Sequence, residues 1–219
     1  MSLTYLFPTP IWKDPATISN YDPVQIQIQS ALKDIKSNNN LDDVSDIYKD
    51  AKNYNKDHAQ GYIIKNNIIK NYNLDALEQR IHDALDRYTQ GVDWTAISKY
   101  NDELQIDGEW KIMNSWINIA EKGVKHDFHS HPGYTISGVY YYRVSAEQGG
   151  IGFNNPNPIV YNAGFPEGRT SPQSIELIPK DGDIILFPAW LQHGTYENTS
   201  DEERISIAFN IDFVLDRGN

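Results

Sequence analysis

The pattern of apolar and polar residues divides the chain into a helical part and a strand-rich part. Apolar residues recur at helical spacing from Pro23 to Lys36 and again from Asn73 to Gly91, as they do along the buried face of a helix. From Trp110 onward, short segments rich in β-branched and aromatic residues take over, which is typical of strands. We therefore predict a mostly helical N-terminal part over residues 1–108 and a β core over residues 109–219, together forming a single domain.

Three further segments of the N-terminal part have weaker patterns. The segment Leu3–Trp12 predicts a short strand, and Pro8 and Pro10 place it at the edge of a sheet, because proline lacks the N–H that a central strand needs. A second, weaker helix is predicted over Asp42–Ala51. The residues Asn53–Tyr72 fit neither the helical nor the strand period.

The strand-rich part contains eight segments that predict short strands separated by Gly, Pro and Asn. Eight short strands within about a hundred residues are typical of a jelly roll, in which two sheets pack face to face. The prediction is therefore a mainly β fold, a double-stranded β-helix of the cupin-like type, with the N-terminal helices packed outside it. The predicted strands are Trp110–Ile119, Val124–His129, Tyr134–Val144, Gly150–Phe153, Ser174–Ile178, Asp183–Phe187, Leu191–Glu197 and Arg204–Val214.

Composition narrows the classes of function. The chain has 219 residues, a formal net charge of −11 and no cysteine. An acidic chain repels phosphate backbones, so we expect no nucleic-acid partner. The lack of cysteine excludes disulfides and thiolate metal sites. No apolar run approaches the roughly 20 residues of a membrane span, and the N-terminus lacks a signal-peptide pattern, so we expect a cytoplasmic protein with no membrane partner.

Three histidines in the strand-rich part are spaced as in a mononuclear metal site. One residue separates His129 from His131, so on a strand both side chains would point to the same face. A third histidine, His193, ends a later apolar run. Neutral imidazole is the commonest protein ligand for Fe, Zn, Cu and Ni. We predict that these three bind one metal ion, with Asp127 as the alternative to His131. The other histidines are predicted to lie at the surface or in loops: His58, His82 and His126.

The last predicted strand carries a candidate anion site on one face. Alternate residues from Arg204 to Asn210 are cationic, small or polar, while those between them are apolar, so the two groups point to opposite faces. The planar guanidinium of an arginine binds a carboxylate through two parallel hydrogen bonds. Ser137 and Tyr141 likewise share one face of their strand. The alternative for Arg204 is a solvated ion pair with an acidic residue just before it.

Three segments carry a resemblance to a known superfamily. HSHPGYTISGVYYY (129–142), IPKDGDIILFPAWLQHGT (178–195) and RISIAFN (204–210) resemble the Fe(II)/2-oxoglutarate-dependent oxygenases. Within these, the chain looks most like the prolyl-hydroxylase-like branch and its short relatives, some of them encoded by phages. The resemblance implies bound Fe(II), 2-oxoglutarate as cosubstrate, and hydroxylation of a substrate with release of succinate and CO2.

The resemblance also implies roles for single residues. His129 and His193 match the two metal-binding histidines of the family. Arg204 matches the basic residue that pairs with the far carboxylate of 2-oxoglutarate. Residues at the positions that support the same carboxylate are Ser206, Tyr141 and Ser137.

The chain departs from the family pattern at two positions. His131 stands where the family usually has Asp or Glu, and three imidazoles leave the ion with more positive charge, so Zn or another divalent metal is an alternative to Fe. Ile119 stands where the prolyl-hydroxylase type has a tyrosine, with Asn118 as its candidate replacement.

A cupin resemblance is the alternative interpretation. Gly123 to His131 and Gly182 to His193 fit most of the two cupin motifs, although the cupin glutamate is absent. Such a protein would use a three-histidine metal for other chemistry or for ligand binding alone. The substrate of an oxygenase is left open between a small molecule and a peptidyl residue. The loop Asn154–Gln173 is a candidate lid, and the aromatic residues that could wall a pocket are Trp116, Tyr134 and Trp190.

Overall fold

The computed structural model describes residues 9–15, 22–37, 61–65, 67–91, 108–157 and 173–215, following the backbone alone over 61–65. Within these ranges the chain forms ten strands and three α-helices. The helices are α1 (Pro23–Ser37), α2 (Ile68–Asn71) and α3 (Asp75–Gly91). The strands are β1 (Trp12–Asp14), β2 (Gly61–Lys65), β3 (Gly108–Ala120), β4 (His126–His129), β5 (Ile136–Arg143), β6 (Ile151–Asn154), β7 (Ser174–Leu177), β8 (Ile184–Pro188), β9 (His193–Thr195) and β10 (Arg204–Leu215).

The strands form two antiparallel sheets. One sheet has six strands in the order β1-β8-β5-β10-β3-β2, and the other has four in the order β4-β9-β6-β7. All eight strands predicted after residue 109 are present, with ends that differ from the prediction by a few residues. The two-sheet arrangement confirms the predicted mainly β, jelly-roll fold.

The N-terminal part agrees with the sequence pattern where that pattern was strong. Helices α1 and α3 occupy the two segments with clear helical spacing, and the carboxylate of Asp22 caps α1 by accepting from the N–H of Val24 at 2.9 Å. The segment that fitted neither period contains β2 and α2. Strand β1 lies at a sheet edge, but it shares only Trp12 with the predicted strand Leu3–Trp12, whose described residues Thr9–Ile11 are not in a strand. Residues 3–8 and the predicted helix Asp42–Ala51 lie outside the described residues, and the single-domain organisation stays a prediction.

Strand β10 separates two environments because its side chains alternate. Ile207 and Phe209 are fully buried in an apolar cluster that also contains side chains of α1 and α3. Ser206 and Asn210 point to the opposite side, toward the four-stranded sheet, where they line a cavity. The helices therefore cover one face of the six-stranded sheet, as predicted, and leave the other face for a site. No helix among the described residues is long and apolar enough to cross a membrane.

Candidate metal centre

The three predicted metal ligands converge between the two sheets. His129 ends β4 and His193 begins β9, and the two are direct partners in the antiparallel ladder. His131 lies beyond the end of β4, where its backbone N–H donates to the carbonyl oxygen of Ala189 at 2.8 Å. The predicted strand ended at His129, as it does in the structure, although the expectation of a shared face treated both histidines as strand residues. His131 lies just beyond the strand, and its ring is still 5.1 Å from that of His129.

The separations of the ligand atoms suit one metal ion. One ring nitrogen from each of the three histidines lies within 4.8 Å of those of the other two. Three points at such separations all lie within about 2.8 Å of a common point, close to the metal–nitrogen distance of about 2.1 Å. Small rotations of the rings would close the difference. The donor set therefore fits a mononuclear divalent metal.

The imidazoles of His129 and His193 are oriented by backbone oxygens. His129 Nδ1 lies 2.8 Å from the carbonyl oxygen of Asp127, and His193 Nδ1 lies 2.8 Å from that of Leu191. A carbonyl oxygen can only accept, so each Nδ1 carries the proton and each Nε2 keeps its lone pair. The nitrogen left for a metal is thus Nε2 in both rings.

Burial holds two of the imidazoles in their neutral form. It lowers the pKa of His193 to about 3, and it is also the main cause of the lowered pKa of His131. A neutral imidazole binds a metal without first losing a proton. At neutral pH these two rings are therefore ready for a metal.

The side chain of Asp127 does not join the cluster. It is 78% exposed, and its Oδ1 lies 3.6 Å from Nζ of Lys125. Asp127 serves the site through its backbone carbonyl, which accepts from His129. Of the two alternatives for the third ligand, the geometry favours His131.

The histidines open into a cavity of about 740 Å³ between the sheets. All four residues that were expected to bind the cosubstrate line it: Ser137, Tyr141, Arg204 and Ser206. The alternate residues of β10 from Arg204 to Asn210 all face this cavity. The alternation in the sequence therefore predicted the correct face of this strand.

Arg204 is buried at one end of the cavity and is held by four oxygen atoms. Its Nη1 donates to the carbonyl oxygens of Gln148, Gly149 and Tyr196, the last two at 3.2 Å and 3.0 Å. Its Nη2 donates to the hydroxyl of Thr195 at 2.8 Å. These four oxygens are neutral, and they orient the guanidinium. The alternative of a solvated ion pair is wrong, because Arg204 is only 3% exposed.

Three hydroxyl groups lie at the same end of the cavity. Tyr141 and Ser206 are direct partners across β5 and β10, and both are buried. Burial raises the pKa of Tyr141 despite the nearby Arg204, so its phenol stays protonated and can donate to an anion. Thr195 was missed in the sequence. It stands two residues after His193 on β9, so the alternation rule would have placed it on the same face.

The interpretation of His126 as a surface or loop residue is wrong. Its side chain lines the cavity, and burial and the nearby Arg204 lower its pKa to about 4. The error has a local cause. His126 pairs with Thr195 and His129 with His193, so β4 holds one more residue than its partner strand and has an irregular register between them. Such a bulge lets two residues three apart face the same side.

Asn118, rather than Ile119, faces the cavity. Ile119 is buried on the helix side of the sheet, so it cannot replace a cavity tyrosine. The Oδ1 of Asn118 is buried and finds no hydrogen-bond partner among the described residues. A buried amide without a partner indicates a polar ligand. A 180° flip of the amide interchanges its oxygen and nitrogen, so that the NH2 group could donate to an anion. The cavity therefore fits a polar cosubstrate as well as a metal.

Ser137 is engaged at the opposite end of the cavity from Arg204. Its hydroxyl donates to Oδ1 of Asn210 at 2.8 Å and lies 3.2 Å from Nδ1 of His131. The same Oδ1 lies 2.6 Å from His131 Nδ1, and Asn210 Nδ2 donates to Asn114 at 2.9 Å. The sequence pattern predicted that Asn210 faces the cavity but indicated no role for it. It did not indicate Asn114 at all.

Two of the three aromatic residues proposed as pocket walls line the cavity. The Trp116 ring lies 5.6 Å from that of His131, and Tyr134 also belongs to the lining. Trp190 is 57% exposed and lies outside the lining. Residues 158–172 of the predicted lid lie outside the described residues.

Comparisons with solved structures show that the fold is shared with known proteins. HygX from Streptomyces hygroscopicus, solved with nickel and 2-oxoglutarate bound, is 12% identical over 93% of this chain and 82% of its own, with a TM-score of 0.56. SnoK, a non-heme alpha-ketoglutarate-dependent carbocyclase from nogalamycin biosynthesis, is 10% identical over 93% of this chain and 79% of its own, with a TM-score of 0.58. AviO1 from Streptomyces viridochromogenes Tue57 is 9% identical over 96% of this chain and 92% of its own, with a TM-score of 0.54.

A family model matches most of the strand-rich part. No curated protein matches the chain, but residues 114–210 match the model described as "Putative 2OG-Fe(II) oxygenase". Fe(II) and 2-oxoglutarate, the cofactors expected from the resemblance, are those of this family, and the histidine triad is present to hold the metal. All three histidines and Arg204 fall within the matched residues. Over these residues the strand-rich part of the chain is therefore similar to the 2OG-Fe(II) oxygenase family.

Proposed function

We propose that this protein is an Fe(II)- and 2-oxoglutarate-dependent dioxygenase that hydroxylates its substrate and releases succinate and CO2. The observation that carries the proposal is the joint placement of three metal-competent imidazoles and one buried cation, Arg204, in a single cavity. The family needs a site for a divalent metal and a site for a dicarboxylate, and the cavity offers both. The substrate is a small molecule or a peptidyl residue, and neither nucleic acid nor membrane belongs to the proposal.

In this proposal the histidines hold the metal and the far end of the cavity holds the cosubstrate. His129, His131 and His193 bind the metal through Nε2, since Nδ1 of each ring is already next to an oxygen acceptor. When bound, the iron and 2-oxoglutarate supply the oxidising chemistry of the family. Arg204 attracts the far carboxylate, and the hydroxyl of Tyr141 donates to it.

The protein's own contribution is to orient the bound groups in a partly apolar cavity. Arg204 cannot swing away, because backbone carbonyls from two loops and Thr195 fix its guanidinium. The apolar side chains Val139 and Phe187 also line the cavity. A fixed cation in such surroundings attracts a carboxylate more strongly than one in bulk water.

A second candidate is a cupin-like metal protein without 2-oxoglutarate chemistry. It is favoured by one observation, the imidazole of His131 at the position where the family usually has a carboxylate. Three neutral ligands leave a divalent ion with its full charge, which suits Zn or another divalent metal as well as Fe. The shared fold also accommodates other reactions, since SnoN is described as an epimerase and SnoK as a carbocyclase.

An anaerobic titration separates the two candidates. Fe(II) is added to the metal-free protein with and without 2-oxoglutarate, and the visible absorption of the chelated keto acid is followed. We expect the charge-transfer band in the unmodified protein and in His82→Ala, a histidine on α3 outside the cavity. We expect no band in His129→Ala. Tight metal binding without a band would favour the cupin-like candidate, and no metal binding would contradict both.

A further inference from the structure

We propose that Asn210 is a positioning residue that holds His131 as the third imidazole ligand of the metal. The inference rests on the proposed metal site and concerns how the chain supports an imidazole where the family usually has a carboxylate. A histidine in a turn has more freedom than one on a strand, so it needs a fixed partner to serve as a ligand. Asn210 is placed to be that partner.

The sheet fixes Asn210 from both sides. It lies on β10, the strand between β3 and β5, and its direct partners in the ladder are Asn114 and Ser137. Both partners hydrogen-bond to its side chain, Ser137 at 2.8 Å and Asn114 at 2.9 Å. The residue is only 3% exposed. Its amide is therefore held in place before any metal arrives.

The hydrogen bonds also set which end of the amide meets His131. Asn210 Nδ2 donates to Asn114 Oδ1, and Asn114 Nδ2 donates to the Tyr134 hydroxyl at 2.9 Å. Asn210 Oδ1 is left to face His131 Nδ1 at 2.6 Å. A metal on Nε2 requires the proton on Nδ1, and Asn210 Oδ1 is the acceptor for that proton. The amide thus selects the tautomer that can bind a metal.

The choice of an amide rather than a carboxylate has an electrostatic consequence. Asn210 orients His131 without adding negative charge, so the metal keeps the full charge that attracts the cosubstrate dianion. A carboxylate at position 210 would also accept from Nδ1, but it would repel 2-oxoglutarate. Asn210→Asp should therefore preserve metal binding and weaken cosubstrate binding, whereas Asn210→Ala should weaken metal binding itself.

The test is a double-mutant cycle on Co(II) affinity, measured by titration of the visible d–d bands in the absence of 2-oxoglutarate. We expect Asn210→Ala to weaken Co(II) binding about 10- to 100-fold, as is usual for the hydrogen-bond partner of a ligating histidine. The same change in a His131→Ala background should have no further effect, because Asn210 acts only through that ring. Asn71→Ala, an exposed asparagine at the end of α2 that does not line the cavity, is the matched control and should leave Co(II) affinity unchanged.

Each outcome bears on a separate claim. An equal loss of affinity from Asn210→Ala in both backgrounds would mean a general effect on the fold and would overturn the inference. An Asn210→Asp variant as weak as Asn210→Ala would overturn it as well. If Asn210→Ala does not fold by circular dichroism, Ser137→Ala replaces it in the cycle with a smaller expected loss. Failure of the unmodified protein to bind Co(II) would instead contradict the proposed metal site.

Discussion

Replacing Arg204 by methionine tests the end of the cavity that we propose for the cosubstrate. The change keeps a long apolar stem and removes the guanidinium, with its charge and its donors. Removing one partner of a buried, hydrogen-bonded charge pair costs about 2–5 kcal/mol in binding. The dissociation constant for 2-oxoglutarate should therefore rise by about 30-fold to several thousand-fold. Arg204→Lys keeps the charge but loses the planar fork, so its effect should be intermediate.

The same change removes support from the fold, and this effect has to be measured separately. Arg204 donates to carbonyl oxygens of Gln148, Gly149 and Tyr196. Each buried acceptor left without a donor costs about 1–3 kcal/mol in the free energy of unfolding. The variant should unfold at a lower denaturant concentration, so binding is compared only where circular dichroism shows it folded.

The assay is calorimetric titration of the metal-loaded, anaerobic protein with 2-oxoglutarate. Arg143→Met is the matched control, because Arg143 is exposed at the end of β5 and does not line the cavity. It should leave the dissociation constant unchanged. A folded, metal-loaded Arg204→Met protein that binds 2-oxoglutarate within twofold of the unmodified protein would refute the assignment of this residue.

Three further predictions concern the same cavity and its walls. Tyr141→Phe removes one hydroxyl donor and should raise the 2-oxoglutarate dissociation constant by about 2- to 12-fold, measured by the same titration. Gly138→Ala would place a Cβ 2.5 Å from Phe209 Cζ and 2.6 Å from Leu186 Cδ2, so the free energy of unfolding in denaturant should fall by about 1–3 kcal/mol; an unchanged value would contradict the packing. The metal-free protein should also lose stability as the pH falls below 6.5, because unfolded His193 takes up a proton that the buried ring, with a pKa of about 3, does not. The loss is at most about 1.4 kcal/mol per pH unit from this residue; urea unfolding at pH 7 and pH 5 measures it, and His193→Gln should reduce the slope.

The fold was predictable because the spacing of apolar residues in each part of the chain matches the period of one type of secondary structure. Helical spacing located α1 and α3, and the change of texture after residue 108 located the jelly roll. Alternation on β10 also assigned each residue from Arg204 to Asn210 to the correct face. These assignments need only local sequence, because side-chain direction along a regular element follows from its geometry.

The errors at the site arise where that geometry is interrupted. The bulge in β4 brings His126 to the cavity face, against simple counting from His129. His131 lies in a turn, where the strand rule does not apply. Both histidines are evident in the sequence. The directions of their side chains, however, depend on the extra residue in β4 and on the position at which β4 ends.

The partner of His131 could not have been read from local sequence at all. Asn210 is 79 positions away, and it meets the ring because β10 lies between β3 and β5. The order of strands in a sheet depends on contacts between distant parts of the chain. The sequence around His131 therefore does not indicate which residue accepts its hydrogen bond. A resemblance built on short segments could therefore find the three clustered histidines and the buried arginine, whose neighbours in sequence carry the pattern, but not Asn210. In the folded sheet Ser137 stands beside Asn210, and its hydroxyl contacts both Asn210 and His131, a pairing that its place in the sequence does not reveal.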